Sequence, residues 1–142
     1  MRIQMMMPGD SSAAAALSAD LGYPVGPSDM ADRVAAVLAS PGDALFGAKH
    51  DDGALLGFVH VRLRMLLIDD LSAFVESLVV VEAARRGGVG RALMAAAEDW
   101  ARGRGAHCIR LRSGASRHDA HAFYRSLGYA DGKAALGFEK VL

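Results

Sequence analysis

Apolar residues along this chain recur with two different periods, and segments of each kind alternate. A helical period, with apolar residues three and four apart, is clearest in two segments. The positions concerned are Met30, Val34, Val37 and Leu38 in the first, and Val89, Leu93, Ala96, Ala97 and Trp100 in the second. Shorter helices are predicted over residues 10–19 and 119–126, and Ser28 is expected to cap the second helix of the chain.

Strand-like segments occupy much of the remaining chain. The predicted strands are Ile3–Met6, Ala44–Lys49, Leu55–Met65, Phe74–Val81, His107–Arg112 and Lys133–Leu142. The segment Phe74–Val81 is almost wholly apolar, which indicates a central strand buried on both faces. The resulting order, β-α-α-β-β-β-α-β-α-β, predicts an α/β (α+β) fold with a mixed central sheet flanked by helices. A length of 142 residues predicts a single domain, residues 1–142.

Charge and composition narrow the classes of protein. The formal net charge is zero, which argues against a nucleic-acid binder. Residues 1–70 hold five Lys/Arg against nine Asp/Glu, and this acidic excess favours a cationic ligand in that half. The single cysteine, Cys108, excludes an internal disulfide and predicts that the protein is located in the cytoplasm. Because no His or Asp partner is evident in the sequence, Cys108 is expected to be an inert thiol in the core. No apolar segment is long enough to predict a membrane span.

The segment Ala84–Leu93, with the sequence ARRGGVGRAL, joins a predicted strand to a predicted helix. Its free backbone N–H groups and the helix dipole would favour an anion, and glycine allows close approach of the backbone. A nucleotide P-loop is excluded, because Gly-Lys-Ser/Thr is missing. A dinucleotide fingerprint is disfavoured, because Leu93 stands where a small residue must pack against the strand. A basic turn without a ligand is the remaining alternative.

Three features together resemble the GNAT acetyltransferase superfamily. The first is the pattern R-x-x-G-x-G over residues 85–90, and the second is the strand segment Glu76–Val80 before it. The third is the segment Ala120–Tyr129, which is similar to the family pattern A-x-x-F-Y-x-x-x-G-Y/F. The resemblance covers residues 44–142 best. It implies a single GNAT-like domain that uses acetyl-CoA as cosubstrate and needs no metal.

The resemblance assigns two groups of residues to acetyl-CoA. The strand backbone would pair with the pantetheine arm, and the loop amides would bind the pyrophosphate. These residues are Leu78, Val79 and Val80 on the strand, and Arg85, Arg86, Gly87, Gly88, Val89, Gly90 and Arg91 in the loop. Family members often have Arg-Gly-x-Gly where this chain has Arg-Arg-Gly-Gly, and the change at Arg86 is expected to alter loop stiffness more than binding.

Two side chains are the candidates for catalysis. Tyr124 stands where the resemblance implies a tyrosine that protonates the leaving thiolate; the alternative is an aromatic ring packed between helix and sheet. Glu76 is the candidate general base for the amine, and strand alternation predicts that it shares a face with Phe74, Leu78 and Val80. The alternative is a carboxylate paired with His60, Arg62 or Arg64 on the next strand.

The predicted activity is direct transfer of an acetyl group from acetyl-CoA to a primary amine of a small molecule or peptide. A backbone N–H of the strand would stabilise the oxyanion of the tetrahedral intermediate. The alternative is a non-catalytic, regulatory module that binds acyl-CoA. The resemblance implies that the first two helices and the loop at residues 21–24 shape the acceptor site, with Tyr23 over the substrate, and the acidic excess would favour a cationic acceptor. Predicted partners exclude nucleic acid and membranes and include a second copy of the chain as a homodimer.

Overall fold

The computed structural model describes residues 1–142. Its strands are β1 (Arg2–Met5), β2 (Asp43–Lys49), β3 (Leu55–Leu66), β4 (Asp69–Val80) and β5 (Ile109–Leu111). Its helices are α1 (Ser11–Asp20), α2 (Pro27–Leu38), α3 (Val89–Gly103) and α4 (His118–Ser126), with 3₁₀ turns at Pro8–Asp10 and Glu82–Ala84. Two compact units are distinguished, Met1–Arg112 and Ser113–Leu142. None of the helices is long and apolar enough to cross a membrane.

The first unit contains one five-stranded mixed sheet, as the sequence predicts. The strands lie in the order β1-β2-β3-β4-β5, and all neighbours are antiparallel except β4 and β5, which are parallel. The parallel pair is connected through α3, as the crossover between parallel strands requires. This connection carries the glycine loop and places it directly after β4.

The two faces of the sheet are covered by different helices. One face packs against α1 and α2 in a cluster that includes Leu17, Val34, Phe58 and Val79. The other face packs against α3, since a Cβ built on Gly57 would lie 3.3 Å from Leu93 Cδ1. Phe58 and Gly57 are neighbours in β3, and successive strand residues point to opposite faces. The fully buried Leu93, Met94 and Ala97 show which stripe of α3 faces the sheet.

Two predictions about helix and strand ends are wrong. Helix α2 begins at Pro27, with Gly26 as N-cap, rather than after a Ser28 cap. Proline suits the first helical position, because its φ is already close to helical and its missing N–H would have no partner there. The predicted last strand, Lys133–Leu142, is not formed: these residues have no strand partner and are all exposed. An alternating apolar pattern cannot form a strand without a second strand that accepts its backbone hydrogen bonds.

Gly57 is a position where β3, β4 and α3 pack closely together. An added Cβ would lie 2.5 Å from Val79 O, as well as against Leu93. We therefore expect Gly57→Ala to lower the free energy of unfolding by about 2 kcal/mol or more. Gly42→Ala, where nothing lies within 4 Å, serves as the control and should change it by less than about 0.5 kcal/mol. Urea unfolding measures both, and equal midpoints would contradict the close approach of β4 to Gly57.

Candidate active site

One edge of β4 lies open along the second half of the strand. Strand β5 pairs with β4 only at Ala73, Phe74 and Val75, so the residues after Val75 have no strand partner on that side. The N–H of Val81 donates to Leu56 O in β3 at 2.8 Å, which fixes the direction of the peptide groups before it. Because these groups alternate along a strand, those of Leu78 and Val80 point to the open edge, and those of Val79 point to β3.

A β-bulge interrupts β4 at Glu76. His60 in β3 pairs with Ser77 and the next residue, Val61, pairs with Val75, so Glu76 is the extra residue. A bulge of this kind disturbs the alternation of side chains. The prediction that Glu76 shares a face with Phe74 is confirmed, because the Glu76 carboxylate reaches Arg62, which lies directly opposite Phe74 in the sheet. The prediction that it shares a face with Leu78 and Val80 is wrong.

The pairing after the bulge explains that difference. Leu78 lies opposite Val59, and Val80 lies opposite Gly57. A Cβ built on Gly57 would point towards α3. Residues directly opposite each other in a sheet share a face, so Leu78 and Val80 lie on the α3 side. Val79, in turn, packs in the cluster under α1 and α2.

Glu76 lies in an open cleft of about 450 Å³. Its carboxylate Oε1 is 4.0 Å from Arg62 Nη1, and its side chain keeps 37% of its surface exposed. The cleft is lined by Arg62, Leu63, Arg64, Met65, Leu66, Phe74, Glu76 and Arg112. The sequence named Arg62 and Arg64 only as alternative partners of Glu76; that both would line the site was missed, although their spacing places them on the same side of β3. Arg112 gave no signal, because only the sheet brings the end of β5 to this cleft.

His60 is not a partner of Glu76. Its Nε2 lies 2.7 Å from Asp43 Oδ1, and Ser40 Oγ donates to Asp43 Oδ2 at 2.6 Å. Partial burial opposes ionisation of Asp43, but the two hydrogen bonds outweigh burial and hold the pKa of this carboxyl below its ordinary value. Of the three partners considered for Glu76, the structure therefore leaves only Arg62 within ion-pairing distance.

The glycine loop presents unpaired backbone donors at the start of α3. The first helical hydrogen bond is donated by Ala92 N–H to Gly88 O at 3.0 Å, so the N–H groups of residues 88–91 precede it. No side chain caps this helix. Gly88 has a φ of +83°, and an added Cβ there would meet nothing within 4 Å, so the approach is open. These donors, with the exposed arginines beside them, fit a pyrophosphate.

Arginine side chains surround the loop in different ways. Arg85 Nε donates to Val80 O at 3.4 Å, which links the loop to the open edge of β4. Arg86 is the single non-glycine residue of the chain with positive φ, at +64°. Its backbone has the left-handed conformation that glycine adopts without strain. Val89, by contrast, is 4% exposed and anchors the first turn of α3.

Tyr124 belongs to the second unit, on α4. Its ring centroid lies 5.2 Å from that of Phe123 and 6.0 Å from that of Tyr129. Burial raises the pKa of the Tyr124 phenol above 10.0, and the charge of Arg117 opposes that shift only in part. The phenol therefore keeps its proton at neutral pH, which is the state a proton donor needs. His121 Nε2 lies 2.8 Å from Gly114 O within the same unit.

Cys108 is not the core thiol without a His or Asp partner that the sequence predicts. It is half-buried, and its Sγ lies 3.5 Å from His107 Nε2. The same nitrogen lies 3.4 Å from Asp69 Oδ1. A hydrogen bond from Arg110 is the main cause that lowers the pKa of the Asp69 carboxyl. The prediction failed because Asp69 reaches His107 only through the parallel pairing of β4 and β5.

Comparisons with known proteins agree with this geometry. The family model described as Acetyltransferase (GNAT) family matches residues 13–129. An aminoglycoside N(6')-acetyltransferase type 1 of Stenotrophomonas maltophilia is 32% identical over 146 residues, covering 99% of this chain and 93% of the relative. Another of the same name, from Serratia marcescens, is 29% identical over 120 residues and covers 82% of each chain.

Solved structures share the fold along nearly the whole chain. A putative acetyltransferase from Agrobacterium tumefaciens superposes with a TM-score of 0.88 at 26% identity, covering 99% of this chain and 100% of the other. The aminoglycoside N-acetyltransferase AAC(6')-Iy in complex with CoA gives a TM-score of 0.85 at 19% identity, with coverage of 99% and 100%. The chain belongs to the GNAT acetyltransferase family. It is an N-acetyltransferase that moves an acetyl group from acetyl-CoA to an amine, and not the regulatory module considered as an alternative.

The left-handed Arg86 predicts a stabilising substitution. Arg86→Gly should raise the free energy of unfolding by up to about 1 kcal/mol, because glycine adopts this φ without the clash of a Cβ. Gly88→Ala, at φ +83°, is the opposite control and should lower it by about 1 kcal/mol. Urea unfolding without ligand measures both. A loss of stability in Arg86→Gly would contradict the strain assigned to Arg86.

Proposed function

We propose that residues 1–142 form one acetyltransferase domain whose acceptor is a primary amine of a small molecule or peptide. The open edge of β4, which leads directly into the unpaired N–H groups at the start of α3, is the observation that carries the proposal. An extended arm can pair with the edge while its phosphates reach the helix start. The residues needed for one elongated, anionic cosubstrate are therefore consecutive in the chain.

Acetyl-CoA supplies the acetyl group as an activated thioester. The peptide groups of Leu78 and Val80 would pair with its pantetheine arm, and the backbone at residues 86–91 would bind its pyrophosphate. The charges of Arg85, Arg86 and Arg91, all exposed, would add attraction for the phosphates. Val79 contributes through its packing, because its peptide groups belong to the ladder with β3.

Glu76 and Tyr124 would handle the two proton transfers. Glu76 would accept the proton that the amine loses, since an amine attacks only when neutral. The bulge supports this role, because it turns Glu76 into the cleft next to the open edge. Tyr124, protonated at neutral pH, would donate to the leaving sulfur. A Leu78 N–H aimed at the open edge would stabilise negative charge on the reacting carbonyl oxygen.

Three further assignments complete the proposal. Aminoglycosides are the reference acceptors for assay, because the named relatives act on them. The cytoplasm is the proposed compartment, supported by a single cysteine that cannot form an internal disulfide. A second copy of the chain is the proposed protein partner, and the exposed Leu67 and Ile68 at the β3–β4 turn offer apolar surface for it. Neither nucleic acid nor a membrane is proposed as a partner.

Binding of the cosubstrate is tested by thermal unfolding. Acetyl-CoA and CoA at about 100 times their dissociation constant should raise Tm by about 5 to 10 °C, and NADH should not. Gly88→Glu should abolish the shift, because its carboxylate would repel the pyrophosphate. Gly53→Glu, at a similar φ of +90° in the β2–β3 turn, is the matched control and should keep it. A shift that survives in Gly88→Glu would overturn the loop assignment.

The proton-transfer roles are tested by thiol release with an amine acceptor. Tyr124→Phe should lower kcat about 100-fold while acetyl-CoA affinity stays within about twofold, and Glu76→Gln should lower kcat/KM for the amine about 100-fold. Because burial raises the Tyr124 pKa, any loss of wild-type activity from phenol ionisation should begin at a higher pH than for an ordinary tyrosine.

Tyr129→Phe is the matched control for Tyr124→Phe, since the family pattern allows either aromatic residue at that position. It should retain kcat within about threefold, because no proton transfer is assigned to it. Equal kcat values for wild type and Tyr124→Phe across several acceptors would remove Tyr124 as the acid.

A further inference from the structure

The cleft around Glu76 has an excess of positive charge. Three guanidinium groups line it, those of Arg62, Arg64 and Arg112, against the single carboxylate of Glu76. The acidic excess of the first 70 residues, which favours a cationic acceptor, is therefore absent from this cleft. An acceptor that enters here meets a net charge of about +2 beside the proposed base.

Only one of the three arginines is neutralised. Arg62 Nη1 lies 4.0 Å from Glu76 Oε1, whereas Arg64 and Arg112 make no ion pair. Arg64 instead lies over the ring of Phe74, with its Cζ 5.0 Å from the ring centroid. Stacking of this kind holds a guanidinium in place and leaves its N–H donors at the edge free for a carboxylate.

The remaining lining is apolar. Leu63, Met65 and Leu66 join Phe74 along the cleft, so charge and apolar surface alternate over a short distance. A polyamine with several ammonium groups would meet like charge in this cleft without apolar groups to bury. An amine on a short carbon skeleton that ends in a carboxylate would satisfy the base, the apolar wall and the free arginines together.

We propose that the acceptor of this enzyme is an amine that also carries a carboxylate, of the amino-acid or acidic peptide type, and that Arg64 and Arg112 recognise that carboxylate. The inference rests on the proposed function, because it assumes that Glu76 receives the amine. In the reaction, the amine nitrogen bonds to the acetyl carbon as the carbon–sulfur bond breaks. Glu76 accepts the proton lost by the amine, and Tyr124 donates its phenol proton to the sulfur. The arginines bind the carboxylate of the acceptor and take no part in these proton transfers.

The test compares acceptors that differ only in the carboxylate. Several L-amino acids are assayed against their primary amides under saturating acetyl-CoA, with kanamycin as the polycationic acceptor. The acids should have a kcat/KM at least about tenfold above the amides, since a charge-assisted hydrogen bond exceeds a neutral one by about that factor. Equal values for acid and amide, or a preference for kanamycin, would overturn the inference and leave the acetyltransferase function intact.

The role of the arginines is tested by replacing them with glutamine, which removes the positive charge and keeps a polar side chain. Arg64→Gln and Arg112→Gln, singly and together, should raise KM for the acids about tenfold or more and leave KM for the amides unchanged. Arg102→Gln, an exposed position on α3 that pairs with Asp99, is the matched control and should change neither. An equal rise in KM for acids and amides would indicate a structural effect and would contradict carboxylate recognition.

A binding measurement distinguishes failure of the proposed catalytic function from failure of this inference. If no acceptor is turned over, isothermal titration of the same acids and amides into the CoA-bound protein replaces the assay. Binding of the acids that is lost in the Arg64→Gln, Arg112→Gln double variant would support the inference and contradict the catalytic proposal. Absence of a difference between acid and amide would overturn the inference by itself.

Discussion

The separation of β4 from β5 after Val75 is the constraint on which the rest of the site depends. Two parallel strands that paired along their whole length would satisfy every backbone group between them and leave no edge for a ligand. Here the pairing stops after three residues, and the peptide groups of Leu78 and Val80 keep an open side. Helix α3 then starts within ten residues of that edge, so the open edge of a strand and the unpaired donors of a helix follow one another closely along the chain.

The core explains why this open edge persists. Val79 packs beneath α1 and α2, and its backbone pairs with β3. Strand β4 is therefore fixed by hydrogen bonds along one edge and by side-chain packing on one face. Leu93 and Met94 hold α3 against the other face, with no exposed surface. This packing holds the donors at the helix start in place, which is the arrangement expected of a preorganised site.

The bulge at Glu76 separates two parts of one strand. Before it, β4 contributes Phe74 to the cleft; after it, the strand has the open backbone edge that we propose binds the cosubstrate. The extra residue lies between them and turns its carboxylate into the cleft. The proposed base for the acceptor and the proposed cosubstrate edge thus follow one another along one strand, and the proposed role of the arginines around the cleft would add a charge preference for the acceptor.

The local sequence pattern was sufficient to predict most of the element order, the loop before α3 and the family. The period of the apolar residues, the spacing of the glycines and the succession of strand, loop and helix all depend on residues that are near one another in the chain. It failed at Lys133–Leu142, which alternates like a strand but has no strand to pair with. It also failed to place Leu78 and Val80, because one extra residue in β4 reverses every later side chain and leaves no mark on composition. The basic cleft needed β3, β4 and β5 side by side, since its arginines are up to 50 positions apart. The sequence by itself determined most of the helices and strands and predicted where an anion binds; tertiary pairing alone decided which side chains share a face, because that depends on register between distant strands.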